Sequence, residues 1–178
     1  MIKTYLSELR LYICNNLVCK IPSHTIRLWF YKNIMKFKIG TNSYVYLNCK
    51  FDSTLGLTMK NNVVINPRCR LDTRGTITIG EHVGIAEDVI ILTSDHNVHS
   101  KKFEGRNLAV RIDDYAWVGT RAMILAGVTL NKGCVVAAGS VVTKSIPPYE
   151  IWAGVPAKKI GVRDKDLLYV INYKRVFH

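Results

Sequence analysis

Between residues 39 and 146 the hydrophobic pattern of the chain has a period of six. From residue 112 onward an aliphatic side chain stands at Ile112, Val118, Ile124, Leu130, Val136 and Val142. Four residues after each comes a small or β-branched one: Ala116, Ala122, Val128, Cys134, Ser140 and Ile146. A helix repeats near 3.6 residues and a strand at 2, so neither alone explains a strict six. Short strands bent at fixed corners do: three strands of about six residues close one turn of a triangular solenoid, and the turns stack about 4.8 Å apart. The aliphatic residue of each hexad should point inward, and the small one should let the backbone turn the corner. A single turn cannot bury its own interior, so stability must come from the stack. Each filled inward position is worth roughly 1.5–3 kcal/mol.

Upstream the same beat opens hexads at Ile39, Val45 and Phe51, then Met59, Ile65 and Leu71, then Ile79, Ile85 and Ile91. Between these coils the step is eight, which puts two extra residues at one and the same corner each time. After the third coil that corner carries a long loop, residues 93–111, before Ile112 resumes the beat. Five coils are predicted, starting at 39, 59, 79, 112 and 130, in a stack roughly 20–25 Å tall. A loop this long in a compact domain is usually functional, and it holds Asp95, His96 and His99.

The pattern divides the chain into a helical cap (1–38), the solenoid (39–147) and a C-terminal cap (148–178). In the first, one amphipathic helix is expected over about Leu6 to Lys20, ending before Pro22, and a second after Ser23 as N-cap. Trp29, Phe30 and Tyr31 interleave there with Arg27, Lys32 and Lys36, which suits packing over the open first coil and also contact with a membrane surface. In the last segment Pro147-Pro148 is expected to end the coils. The stretch YEIWAGVPAKKIG should then run extended with a turn at Gly154, and DKDLLYVINYKRVF should close as a short helix over the last coil.

Composition narrows the reading further. With 178 residues, 48% hydrophobic and 21% charged, the chain has the size of one compact domain with appendages. No apolar run approaches the length of a membrane span, and the first residues lack the order of a signal peptide, so a cytoplasmic location is expected. Five cysteines form an odd set without metal-type pairing, and Cys49, Cys69 and Cys134 stand at small-residue positions, which points to packed, reduced thiols. The net charge is +12, and residues 1–38 hold seven Lys and Arg against one Glu, 7 − 1 = +6, half of the total. No RNA-binding or zinc-finger signature accompanies it, so no nucleic-acid partner is expected. An anionic small molecule or an acidic membrane surface suits the charge at least as well.

The beat from 39 to 146, the loop segment SDHNVH, WVGT at 117–120, AAGSVVTKSIPP at 137–148 and AGVPAKKI at 153–160 resemble a family. It is that of the hexapeptide-repeat O-acetyltransferases with a left-handed parallel β-helix. The branch includes maltose and galactoside acetyltransferases and those of capsular and exopolysaccharide clusters. The resemblance covers about three quarters of the chain, and left-handedness comes from it alone, since ordinary crossover chirality gives the opposite hand. It implies an all-β solenoid with short N-terminal helices, one protruding loop and a C-terminal extended or helical cap. It also implies direct transfer from acetyl-CoA to a hydroxyl, without an acyl-enzyme and without a metal.

By the same resemblance His96 aligns with the catalytic histidine, whose imidazole removes the acceptor proton. Such a base contributes about 10²–10⁴-fold. The coenzyme A contacts fall on Trp117, Thr120, Ala138, Thr143 and Lys158, with Lys144 and Lys159 placed to meet phosphates. Thr120 and Ala138 are 18 residues apart, one coil, and so stack on one outer face. On the acceptor side stand Asn66 and Asp72, for which corner-turning is an equal explanation. Asp72, second in its hexad, is expected to point outward. Asp95 is a candidate to orient His96, and His99 either contacts substrate or faces water. A zinc triad of His82, His96 and His99 is disfavoured because two of the three share one short loop. The implied partners are a sugar or lipid-linked saccharide and two further copies in a trimer. Serine or antibiotic acetylation and a non-catalytic β-helix scaffold remain as alternatives.

Overall fold

The computed structural model describes residues 2–173, 175 and 177. Its body is a prism of three mostly parallel sheets. Sheet A takes Lys38–Ile39, Leu57–Met59, Ile77–Ile79, Val110–Ile112 and Thr129–Leu130. Sheet B begins with Tyr44–Val45, Val64–Ile65, Gly84–Ile85, Trp117–Val118 and Val135–Val136. Sheet C takes Lys50–Phe51, Arg70–Leu71, Ile90–Ile91, Met123–Ile124 and Val141–Val142. The rungs are in register, so Val45, Ile65, Ile85, Val118 and Val136 pair one above the next. Every residue that opens a hexad is buried, none more exposed than Ile39 at 9%.

The corners differ from the expectation in one respect. The chain turns at the residue before the small one, in the left-handed region: Asn42, Asn48, Asn62, Arg68, His82, Asp88, Tyr115 and Arg121 have φ between 52° and 62°, and Gly127, Gly133 and Gly139 between 67° and 79°. The small residue that follows, such as Ala116, Ala122 or Cys134, is wholly buried on the inside of the bend. It is small for lack of room, while the turn itself is made by its neighbour. All five cysteines are buried and free, as expected. Burial, as the main cause, pushes the thiols of Cys14 and Cys134 up to about 12, which keeps them unreactive.

The coils also run on past Pro147-Pro148, contrary to expectation. Ile146 bridges Leu130, Glu150–Ala153 adds a further parallel rung to sheet B beside Val135–Val136, and the Ala157 amide donates to Val141 O on sheet C at 2.8 Å. This sixth turn is then covered by Lys158–Val162, which folds back antiparallel on Glu150–Ala153. The two prolines sit at a corner, where no ladder bond is asked of them.

At the other end, helix α1 (Ile2–Asn16) is followed by a 3₁₀ turn (Val18–Lys20) and helix α2 (His24–Asn33). The first helix is thus shifted toward the N-terminus, and its last predicted turn is 3₁₀. Ser23 is the N-cap residue of α2, but its side chain makes no capping bond. The inward faces close the first coil: Cys14, Val18, Tyr31, Met35 and Phe37 join the core, and Phe51 lies 5.3 Å from the Tyr31 ring and 4.8 Å from the Phe37 ring. Asn15 completes the edge of sheet C, its amide donating to Phe51 O at 2.7 Å and accepting from Phe51 N at 3.0 Å.

The C-terminal segment forms no helix over residues 164–173, and Lys174 and Val176 lie outside the described residues. It returns along sheet B as a strap. Arg163 and Tyr169 donate to Tyr115 O at 3.0 and 3.3 Å, Ile171 packs with Tyr46 and Val64, Tyr46 donates to Tyr173 O, and His24 bonds Arg175 O at 2.8 Å. The outward face of sheet B explains the route. It presents Tyr44, Val64, Trp117, Val135 and Ile151, and an extended chain can cover this column where a helix at one end could not. Between strap and sheet remains a groove of about 540 Å³.

Candidate active site

The two-residue insertions and the long loop all leave from the corner between sheets C and A, and a ladder of hydroxyls holds that corner. Thr73 Oγ1 donates to Ser53 O at 2.7 Å and accepts from Ser53 N at 3.0 Å. Twenty residues on, Thr93 Oγ1 donates to Asp72 O at 2.6 Å and accepts from Gly75 N at 2.8 Å. Both threonines are buried, so the loop starts from a fixed point.

Asp72 does not point outward; its side chain is fully buried. The carboxylate accepts from Thr93 N and Ser94 N at 3.0 and 2.9 Å, and from Arg74 N, Nε and Nη2 at 3.2, 2.8 and 3.1 Å. Burial alone would raise its pKa, but the Arg74 fork and the amides of Thr93 and Arg74 outweigh it and hold the carboxyl at about 2. With its oxygens taken up in this way, Asp72 anchors the loop and offers nothing to a sugar.

Beyond the anchor, Ser94–His96 pairs antiparallel with Gly105–Asn107. Ser94 Oγ and Asn107 Oδ1 lie 2.7 Å apart, and Asp95 takes both nitrogens of the Arg106 fork at 2.8 and 2.7 Å. That bidentate pair holds the Asp95 carboxyl below the ordinary carboxylate range. Asp95, a candidate to orient His96, instead binds the opposite strand of the hairpin.

His96 is oriented from the loop itself. Its Nδ1 lies 2.8 Å from Phe103 O, and the Phe103 ring stacks on the imidazole at 4.4 Å and 5°. A carbonyl only accepts, so Nδ1 carries the proton in this bond and Nε2 is left with its lone pair. The ring is exposed beside a groove lined by Arg74, Ser94, Asp95, Gly105, Arg106 and Asn107. The imidazole is held in one tautomer. Phe103 and Arg74 carried no signal in the sequence beyond an apolar residue in a charged loop and a basic residue at a corner. His99 is exposed near the loop tip. His82 stacks on Tyr115 at 4.9 Å at the corner between sheets A and B, away from the corner that bears the loop.

Thr120 and Ala138 stack as expected, the Gly139 amide donating to Thr120 O at 2.8 Å. They stand at the corner between sheets B and C. Thr143 and Lys144 lie across the width of sheet C, where Thr143 shares a depression with Asp95, Leu125 and Ala126. Trp117 is neither of these: it projects from sheet B into the groove beneath the strap. Lys144 and Lys158 are exposed, whereas Lys159 is held by Glu150 at 2.7 Å. Asn66 bonds Ile85 O through its amide nitrogen at 2.9 Å and faces a groove shared with Thr120, on the far edge of sheet C from Asp72. The two acceptor candidates do not converge.

A Cβ on Gly139 would meet nothing within 4 Å, while one on Gly119 would lie 2.6 Å from Ala138 N, so the corner is narrow in side chains and open to solvent.

The fold is a solenoid of hexapeptide repeats, and the repeat family described as "Bacterial transferase hexapeptide (six repeats)" matches residues 109–144. The galactoside O-acetyltransferase of Escherichia coli K12 is 33% identical over 141 residues, covering 76% of this chain and 70% of that protein. The chain belongs to the hexapeptide-repeat acetyltransferases. Among solved structures, a hexapeptide-repeat acetyltransferase of Vibrio cholerae, also solved with acetyl-coenzyme A, superposes with a TM-score of 0.82 at 24% identity, covering 93% of this chain and 94% of that one. A maltose O-acetyltransferase of Clostridium difficile 630 gives 0.76 at 26% identity, over 91% and 86%.

Proposed function

We propose that the protein transfers an acetyl group from acetyl-CoA to a hydroxyl of a sugar, free or lipid-linked, in the building of a capsular or exopolysaccharide. The observation that carries this reading is the His96 imidazole, fixed through Nδ1 by Phe103 O with Nε2 open to an acceptor. The thioester supplies an acyl group already activated toward attack by oxygen. His96 Nε2 takes the proton from the acceptor hydroxyl as that oxygen bonds to the acetyl carbon and the thiolate leaves. Thr120 and Ala138 line the path of the pantetheine arm, Trp117 and Thr143 flank it, and Lys144 and Lys158 meet its phosphates. Lys159 joins them only by leaving Glu150.

In this reading three copies assemble so that the His96 loop of one faces the Thr120 and Ala138 corner of the next. The enzyme works in the cytoplasm, where a lipid-linked acceptor would place it at the inner face of the membrane. Asn66, which lines a groove with Thr120, remains a candidate for the acceptor, and His99 a candidate at the loop tip.

The test is His96→Ala, assayed by thiol release across a panel of sugars, serine and aminoglycosides. The expected outcome is a fall in kcat of about 10²–10⁴-fold with coenzyme A binding retained. Wild-type turnover in a folded mutant would remove the mechanism, a preference for serine or aminoglycosides would replace the acceptor class, and failure of the wild type to bind acetyl-CoA would leave a scaffold.

A further inference from the structure

Helix α1 is apolar on two sides. Leu11 and Cys14 face the first coil, while Tyr5, Leu9 and Tyr12, spaced i, i+4, i+7, form a second stripe that faces solvent at 71%, 54% and 64% exposure. On α2, Ile26 and Trp29 are also apolar and exposed, and Leu17, between the helices in the chain, is too, all at least half exposed. Closing the solenoid accounts for the inner stripe and leaves the outer one without a role.

Charge decides what covers it. On the coils the arginines have acidic partners: Arg68 with Glu87 and Asp88, Arg70 with Asp52, Arg74 with Asp72, Arg106 with Asp95, Arg111 with Asp113. On the cap, Arg10, Lys20, Lys32, Lys36 and Lys38 are exposed, and among the described residues none of them forms an ion pair. Residues 1–38 carry +6 with Glu8 as their one acid. A second copy would bring the same uncompensated charge to a like-on-like contact, so self-association through this patch is opposed.

We infer that the outer faces of α1 and α2 form a docking surface for an anionic lipid bilayer. Tyr5, Leu9, Tyr12 and Trp29 would enter the headgroup layer, and exposed basic residues of the cap would meet the lipid phosphates. The surface lies at the capped end of the prism and requires nothing of the acetyl-transfer site, so its test is independent of the catalytic reading.

The experiment is sedimentation of the intact protein with phosphatidylcholine vesicles, with and without phosphatidylglycerol. At about 1 kcal/mol per basic residue near the surface, the anionic lipid should tighten binding by roughly 100-fold or more, and salt should reverse the gain. The Trp29 emission should shift to the blue on binding, and the double substitution Leu9→Glu with Trp29→Glu should abolish sedimentation with little change in melting temperature. Equal partitioning to both vesicle types would overturn the inference. So would burial of Trp29 in a concentration-dependent oligomer without lipid. If the double variant does not fold, the wild-type comparison between the two lipids decides alone.

Discussion

A single residue shows how the chain rounds its corners. Gly139 has φ 69° and open space where a Cβ would be, so Gly139→Ala should cost only the left-handed backbone penalty, about 1 kcal/mol. Gly133 has φ 67°, but there a Cβ would lie 2.5 Å from the Tyr149 ring. Gly133→Ala should therefore cost clearly more, and chemical denaturation of the two variants would show the difference. Asp72 makes a second case. Its carboxyl is held at about 2, below the unfolded value near 4. The stability it lends is present above the unfolded value and is lost as pH falls from about 4 through 2. Asp72→Asn should flatten the decline of melting temperature over that window. At neutral pH it should loosen the loop root, seen as faster amide exchange at Thr93 and Ser94, whose N–H groups it now holds. The period of six made every inward side chain readable, yet it misassigned the turning residue. The clue was present in Asn42, Asn48, Asn62, Gly127, Gly133 and Gly139, residue types that accept positive φ. The Asp72 anchor had no such clue, because an aspartate second in a hexad reads as outward until the Thr93 and Ser94 amides are placed beneath it.

At the scale of elements, strand and loop differ in what they tolerate. Ile124 is fully buried on sheet C and Arg121, three residues earlier, is exposed at a corner. Ile124→Asp should unfold the stack, since an unpaired charge would sit among aliphatic side chains, while Arg121→Glu should leave the circular dichroism spectrum unchanged. In the loop, the Phe103 carbonyl survives any substitution but the ring does not. Phe103→Ala should lower kcat several-fold with less effect on KM for the donor, because the imidazole loses its stacking partner and keeps its hydrogen bond. The loop's position at the C–A corner was legible because the insertions of two marked that corner in each earlier coil. Its internal hairpin was not, since Ser94–His96 and Gly105–Asn107 are polar strands whose pairing depends on the Asp95–Arg106 fork and not on any apolar alternation. His96 is a candidate through the family resemblance alone, and the residue that fixes its tautomer lies seven positions on, where spacing carries no signal.

On the scale of the whole molecule, the strap binds distant parts of the stack, from Tyr115 on the fourth coil to Tyr46 on the first and His24 on the cap. Removal of the residues after 163 should expose the apolar column of sheet B, raise binding of a hydrophobic dye and lower stability by roughly 1.5–3 kcal/mol for Ile171 alone. The sequence suggested a helix here because Leu167, Leu168, Val170 and Ile171 allow one. The competing demand came from sheet B, and only the assembled column makes it visible.

A stack of parallel rungs has no natural last member, since each end offers unpaired amides and carbonyls to another chain. Here Asn15 and the helices occupy one end, and at the other the antiparallel return through Lys158–Val162 presents a reversed, charged edge. The same regularity that lets six turns share one interior would otherwise invite a seventh from a neighbouring molecule, and two stoppers keep a fibre-forming geometry finite.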